Sequence, residues 1–347
     1  MSEEFLVDKT VNGKDRKWGV KKSNSWKYRD RLLGLAARYE YHGDEFETQK
    51  LRNKGSIVAD CGNQLIFKID VNGNKKLSYA QFCRDRFCPL CNWRKTLRNS
   101  YEMINTLTKS LIMNPKSKFL FLTLTVKNVE GKDLRKFVKA MNKALTQKML
   151  KRKKITKNLI GFVKNVEVTV NRDTMEFHPH IHLLFQVKST YFKKGEYINQ
   201  ETWRKFWKEA MKLDYDPMVN IQIIKSRNGY GSLNSSVNEI SKYSTKSTDY
   251  LSLNDEQDMD ILDILRVQLK GLRMMSYGGT LKKIHKSLFS KNEDDSSNDE
   301  LINANGNENS DMEDEAKTIT AFWNSKYHNY VIEEIDEKVN LGKIGGL

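Results

Sequence analysis

The chain has 347 residues, 38% hydrophobic and 30% charged, enough apolar material for one or two globular domains with a real core. No apolar run approaches the roughly 18 residues of a membrane span, and four cysteines in a chain this long do not suggest a secreted disulfide scaffold. The formal net charge of +16 implies a polyanionic partner, nucleic acid before membrane.

Residues 1–22 are polar and basic and are expected to be flexible. "MSEEFLVDKT" has neither a basic start nor an apolar block, so the cytoplasm is the expected compartment. From Ser25, "SWKYRDRLLGLAARYEYHGDEF" predicts a helix with apolar positions at Trp26, Leu32, Leu33, Ala36 and Tyr39. "SIVADCGNQLIFKIDV" predicts a short β region, two apolar runs joined by Cys61, Gly62 and Asn63. A cysteine cluster at 83–91 follows, then a basic helix from about 92 to 112.

The middle of the chain alternates strands and helices. Strands are expected at 119–126, 159–170, 178–187 and 218–224, and helices at 133–150 and 202–213. The second helix carries Trp203, Phe206, Trp207, Ala210 and Met211 at i, i+3, i+4, i+7 and i+8. The order is β-α-β-β-α-β, the ferredoxin-like pattern, in which the first and third strands are neighbours at the sheet centre. Further helices are expected at 236–247, 257–271 and 280–289. Residues 291–317 hold ten acids against two bases and almost no large apolar residues, and read as a disordered linker. "ITAFWNSKYHNYVI" (319–332) regains aromatic and β-branched residues. The expected class is α+β: a central antiparallel sheet flanked by helices, with an N-terminal zinc knuckle. The expected divisions are a flexible N-terminus (1–22), a helical and zinc-knuckle DNA-binding region (23–115), a catalytic domain (116–290), an acidic linker (291–317) and a C-terminal segment packing on the body (318–347).

Three of the six histidines fall in "HPHIH", at His178, His180 and His182. Strand side chains alternate, so all three face one way, and His180 and His182 are about 7 Å apart at ~3.3 Å per residue. If the hairpin turns near 173–174, Glu167 lies opposite His180 on the same face. Two imidazoles and a carboxylate leave open positions on a metal for substrate and water, as a catalytic ion requires. A structural ion or hydrogen-bonded surface histidines would be the plainer account of a lone histidine, less so of three in alternation. The third ligand is either Glu167 or His178.

A metal beside DNA needs a nucleophile. In "NSSVNEISKYSTKSTDY" (234–250), Val237, Ile240 and Ser244 share a packing face with Leu233. Glu239, Tyr243 and Lys246 lie about 100° round the helix from it. Ser236 and Glu239 also fit a capping box, and Tyr250 falls near the face of Tyr243.

Cys83-x4-Cys88-x2-Cys91, with Cys61, uses every cysteine of the chain. Four thiolates make a closed tetrahedral Zn²⁺ site, and the strand that precedes a thioredoxin-like Cys-x-x-Cys is missing here. Such a site would brace the N-terminal region and present Trp93, Arg94, Lys95 and Arg98 to DNA.

"FLTLTV", "HPHIHLL" and "EISKYSTK" resemble, in order and character, the three motifs of plasmid rolling-circle replication initiators. These belong to the HUH endonuclease superfamily, and the similarity is greatest to the group on small Gram-positive plasmids. It spans at least 83–283. It implies an HUH endonuclease core, with His180 and His182 as ligands of Mn²⁺ or Mg²⁺. Tyr243 would form a 5′-phosphotyrosine at the nicked double-strand origin, Glu239 would activate water for the terminating cleavage, and Lys246 would match the family's Tyr-x-x-Lys. A single-tyrosine transposase or conjugative relaxase would use the same chemistry, and a non-catalytic zinc-containing DNA-binding regulator is the alternative outside it. No G-x-x-x-x-G-K-[ST] occurs, so strand separation would fall to a host helicase. No membrane partner is expected, and self-association into a homo-oligomer is left open.

Overall fold

The computed structural model describes residues 3–9, 13–71, 73, 75–224, 237, 240–241, 245–289 and 315–337. The chain divides into two compact units, 1–98 with 292–347, and 99–291. Among the described residues no helix is long and apolar enough to cross a membrane.

The first unit opens on two helices, α1 (Trp18–Tyr41) and α2 (Glu45–Asp60). Tyr28, Leu32, Leu35 and Ala36 form the buried stripe of α1; Thr48, Leu51, Gly55 and Val58 form that of α2. Gly55 permits close packing, since a Cβ there would lie 3.0 Å from Leu33 Cδ2. Asp44 caps α2 by accepting from the Glu47 amide at 3.0 Å. Strands β1 (Gln64–Asp70) and β2 (Lys75–Ala80) form a hairpin, and α3 (Pro89–Met113) follows. The C-terminal strands β8 (Glu315–Asn324) and β9 (Asn329–Glu337) complete an antiparallel sheet of order β2-β1-β8-β9.

Two expectations are corrected here. Residues 56–60 end α2 instead of starting a strand, because Leu51, Gly55 and Val58 carry the helical stripe onward; Cys61 is therefore a helix cap. The described part of the N-terminal stretch, residues 3–9 and 13–22, is also held to the fold. Asp8 is 3% exposed and accepts from Trp18 Nε1 at 2.7 Å, while Lys22 is wholly buried.

The second unit contains β3 (Lys118–Thr125), α4 (Leu134–Lys143), a short α5 (Lys153–Thr156), β4 (Leu159–Asn171), β5 (Glu176–Val187), α6 (Gln200–Met211) and β6 (Val219–Ile223). After them come α7 (Asp255–Gln268), β7 (Met275–Gly279) and α8 (Thr280–Phe289). Its five-stranded sheet has the order β6-β3-β5-β4-β7, so β3 and β5 are neighbours at the centre, with antiparallel pairing throughout. One face carries α6: Trp203 stacks on Phe185 at 5.6 Å, and Trp207 Nε1 donates to the Thr125 carbonyl at 2.8 Å. The other face buries Met103, Leu107, Phe119, Val163, Leu184, Val237, Ile240 and Leu281 together. The expected packing of Val237 and Ile240 thus appears at the described positions of the 236–247 segment. Edge strand β7 has no counterpart in the sequence reading. Its Gly278 lies against Phe162, where a Cβ would come within 2.1 Å of Cε1, so the sequence there is glycine-rich and not β-branched.

Candidate active site

The β4–β5 hairpin carries one cluster of polar side chains. Asn171 ends β4 and turns the chain, its Oδ1 accepting from the amides of Asp173 and Thr174 at 3.0 and 3.2 Å. That turn sets a register in which Glu167 faces His180 and Asn165 faces His182. On the opposite side of β5, Thr125 faces His180 and Thr123 faces His182. The cluster is therefore built on the adjacent interior strands β4 and β5 and not on loops.

His182 Nε2 lies 3.2 Å and His180 Nε2 3.4 Å from the same oxygen, Glu167 Oε2. The imidazole rings are nearly perpendicular, at 88°, with centroids 4.8 Å apart. Their other nitrogens are occupied: His182 Nδ1 by Thr123 Oγ1 at 3.2 Å, and His180 Nδ1 by the His178 carbonyl at 3.2 Å. Each Nδ1 can thus keep its proton while Nε2 exchanges its bond to Glu167 for an ion and presents it a lone pair, the arrangement that orients metal-ligating histidines. One atom from each of Glu167, His180 and His182 lies within 4.8 Å of the others, and ligands ~2.1 Å from a common ion stand about 3–3.5 Å apart. The donor set fits a divalent cation. Burial alone would raise the pKa of Glu167, but hydrogen bonds with His180 and His182 outweigh it and hold the carboxyl well below the usual range.

His178 lies outside this group, with its Nδ1 3.0 Å from Asn128 Oδ1. Burial and the neighbouring His180 lower its pKa. Lys246 does approach, its Nζ 3.7 Å from Glu167 Oε1. Glu239 and Tyr243, and residues 291–314 of the acidic segment, lie outside the described residues. Tyr250, the other tyrosine near that face, is fully buried. Sequence reasoning assigned no role to Thr123 or Asn128; strand alternation from His182 across to "FLTLTV" carries the signal for Thr123.

In the first unit, all four cysteines are free thiols, and their sulfurs lie within 4.8 Å of one another. Cys61 Sγ is 3.4 Å from Cys91 Sγ and 3.8 Å from Cys88 Sγ, and Cys83 Sγ is 3.5 Å from Cys91 Sγ. A tetrahedron with Zn–S bonds of ~2.3 Å has edges of about 3.8 Å, so the donors and spacing fit Zn²⁺. The Cys83 amide donates to Cys61 Sγ at 3.3 Å, and Ser25 Oγ lies 3.3 Å from Cys88 Sγ. Hydrogen bonds from the other three cysteines pull Cys88 toward the thiolate. Lys22 donates to the carbonyls of Ala59 and Cys61, both at 2.7 Å. Burial lowers its pKa to about 8, against the raising effect of Cys61 and Cys88.

Of the residues expected to face DNA, Lys95 is exposed and Arg98 half-buried. Arg94 is a correction. It is 4% exposed, one helical turn after the buried Leu90, with its guanidinium over the rings of Trp18 and Trp93 at 5.5 and 5.8 Å.

Comparison with known proteins gives the context. The family model described as Rep_1, replication protein, matches residues 74–331. The "Protein rep" of Lactiplantibacillus plantarum is 37% identical over 335 residues, covering 95% of this chain and 99% of that protein. The "Protein rep" of Streptococcus pneumoniae serotype 2 (strain D39 / NCTC 7466) is 35% identical over 333 residues, covering 95% and 96%. A "Replication protein" of Staphylococcus aureus is 39% identical over 241 residues, covering 69% of this chain and all of that protein. No solved structure shows significant similarity. With a family model spanning most of its length and relatives matched almost end to end, the chain belongs to the Rep_1 family of replication proteins.

Proposed function

We propose that this replication protein initiates plasmid rolling-circle replication by nicking one strand of the double-strand origin, in an HUH endonuclease core. The observation that carries the reading is the convergence of Glu167, His180 and His182, with the Lys246 ammonium 3.7 Å from the same carboxylate, in a member of this family. Glu167, His180 and His182 would hold Mn²⁺ or Mg²⁺, two nitrogens favouring Mn²⁺. When bound, the ion supplies positive charge to the scissile phosphate.

Tyr243 is the nucleophile in this reading. Its oxygen bonds to the phosphorus, the P–O3′ bond breaks, and the phenol proton is released as the departing 3′ oxygen gains one. A phenol with a pKa near 10 is a poor nucleophile at neutral pH, and the Lys246 ammonium favours the phenolate. The product is a 5′-phosphotyrosine and a free 3′-OH that primes synthesis. Because the diester energy stays in the covalent link, the strand can be rejoined after one round, with Glu239 activating water at termination. Tyr250, wholly buried, has no surface on which a DNA phosphate could meet it. The four cysteines would hold a structural Zn²⁺ bracing the first unit, and a host helicase would open the duplex beyond the nick.

The test is incubation of the protein with a supercoiled plasmid carrying its own replicon and Mn²⁺, followed by mapping of the covalent peptide–DNA adduct. An adduct on Tyr243 is expected; no adduct, or one on Tyr250, overturns the reading.

A further inference from the structure

Arg172 stands in the turn of the β4–β5 hairpin, and every nitrogen of its guanidinium is engaged. Nη1 donates to the Asp249 carbonyl at 2.9 Å, Nη2 to Ser252 Oγ at 2.8 Å, and Nε to Gln257 Oε1 at 2.9 Å. Nη2 also pairs with Asp258 Oδ1 at 2.9 Å, a carboxylate that is fully buried. Asp258 in turn accepts from the Ser252 amide at 2.7 Å and from Ser252 Oγ at 2.9 Å. Gln257 returns a bond to the Arg172 carbonyl at 2.6 Å, and Asn254 caps α7 by accepting from the Gln257 amide at 3.2 Å. A buried carboxylate needs such a partner, and the planar fork of arginine satisfies several acceptors at once.

The network joins two pieces of chain that both serve the candidate site. Glu167 is five residues before Arg172 on β4, and His178, His180 and His182 stand on the returning strand. On the other side, Lys246 is three residues before Asp249, whose carbonyl Arg172 holds. The turn between them is short and closes locally, with the Asp249 amide donating to the Lys246 carbonyl at 3.0 Å. The hairpin tip and the lysine segment are therefore tied together at one guanidinium.

We infer that Arg172 is a positioning residue: with Asp258 and Ser252 it clamps the segment after Lys246 onto the metal hairpin, fixing the register of Lys246 against Glu167. The inference rests on the nicking reading above. Releasing the clamp moves the lysine relative to Glu167 without touching the three candidate ligands. Displacements of about 1 Å cost on the order of 100-fold in rate for reactions that depend on alignment.

The experiment is single-turnover cleavage of a single-stranded oligonucleotide spanning the mapped nick, in Mn²⁺, by wild type, Arg172→Ala, Arg172→Lys and Ser252→Ala. Mn²⁺ affinity and oligonucleotide affinity are measured in parallel. Cleavage by Arg172→Ala is expected to slow about 10- to 100-fold, with both affinities within about 2-fold of wild type. Arg172→Lys keeps the charge opposite Asp258 but loses the fork, and should fall between. Where Arg172→Ala does not fold, Arg172→Lys and Ser252→Ala decide by the same rates. Wild-type rates in the folded variants overturn the clamp alone, as does a rate loss matched by loss of Mn²⁺ binding. No cleavage by wild type overturns the nicking reading and the clamp with it.

Discussion

Glu167 and His180 sit directly opposite each other on adjacent strands, and His182 reaches diagonally to the same carboxylate oxygen at 3.2 Å. Their separation is set by the β ladder, whose facing Cβ atoms are held about 4.5–5.5 Å apart. A metal site built this way is preorganised by backbone hydrogen bonds, and its ligands need no loop closure to converge. The proposed nicking reaction gains from that rigidity, because the ion and the nucleophile stand on different segments and must be brought into line.

The first prediction concerns that site. His180→Ala, His182→Ala and Glu167→Gln should each abolish Mn²⁺ binding and Mn²⁺-dependent nicking, whereas His178→Ala should keep the metal. Thr123→Val removes the hydrogen bond that orients His182 and should weaken Mn²⁺ about 10- to 100-fold. Titration followed by electron paramagnetic resonance measures the binding. Full nicking by wild type in thoroughly chelated buffer would contradict the assignment.

Tyr243→Phe removes only a hydroxyl. It should eliminate the covalent adduct and leave origin binding within about 2-fold, since phosphate contacts by basic side chains supply most of the affinity. Tyr250→Phe, at a buried position, should cost stability and not chemistry. Adduct formation by Tyr243→Phe at the wild-type rate would remove the tyrosine from its role.

How much of this was legible depends on the range of each signal. The facing of Glu167 and His180 follows from period-two alternation once the turn is located at 173–174, because both facts are local. The cysteine quartet is likewise visible in spacing. Arg94 was misread because basic residues beside a knuckle suggest a surface, while the helical phase set by Leu90 turns it inward. The Arg172–Asp258 pair joins residues far apart in sequence, and β7 is a glycine-rich edge strand held by contacts across β4. Neither leaves a local pattern. The end of α2 was lost for a different reason: "SIVAD" has β-branched residues, and the packing of Gly55 against Leu33 of α1 with the burial of Val58 overrides their propensity.

The cysteines predict about one Zn²⁺ per chain. Cys88→Ser and Cys91→Ser should each lose it, with a lower melting temperature, since structural zinc contributes on the order of 10 kcal/mol of apparent binding energy to folding. Lys22→Met should lose zinc faster to a competing chelator, because the buried ammonium lies beside a centre with a net negative charge. Metal analysis by mass spectrometry checks the first, and release kinetics the second. Purified protein with no zinc would end the assignment.

The last prediction is a pH dependence. Asp249 is half-buried in the turn after Lys246, and its Oδ2 has no hydrogen-bond partner among the described residues. Burial raises its pKa to about 6, helped by the negative charge of Glu167 and opposed by Lys246 and Arg172. The folded chain therefore holds this proton more tightly than the unfolded chain, where an aspartate titrates near 3.9. Between about pH 4 and 6 the unfolded state ionises first, so this group's contribution to stability falls as pH rises through that window, then levels off. Asp249→Asn removes the effect. The variant should match wild type near pH 4 and exceed it at pH 8 by about 1–2 kcal/mol, allowing for partial solvent screening. Urea denaturation at the two pH values, without added Mn²⁺, measures the gap. A variant no more stable than wild type at pH 8 would show that Asp249 is ionised and compensated in the folded chain.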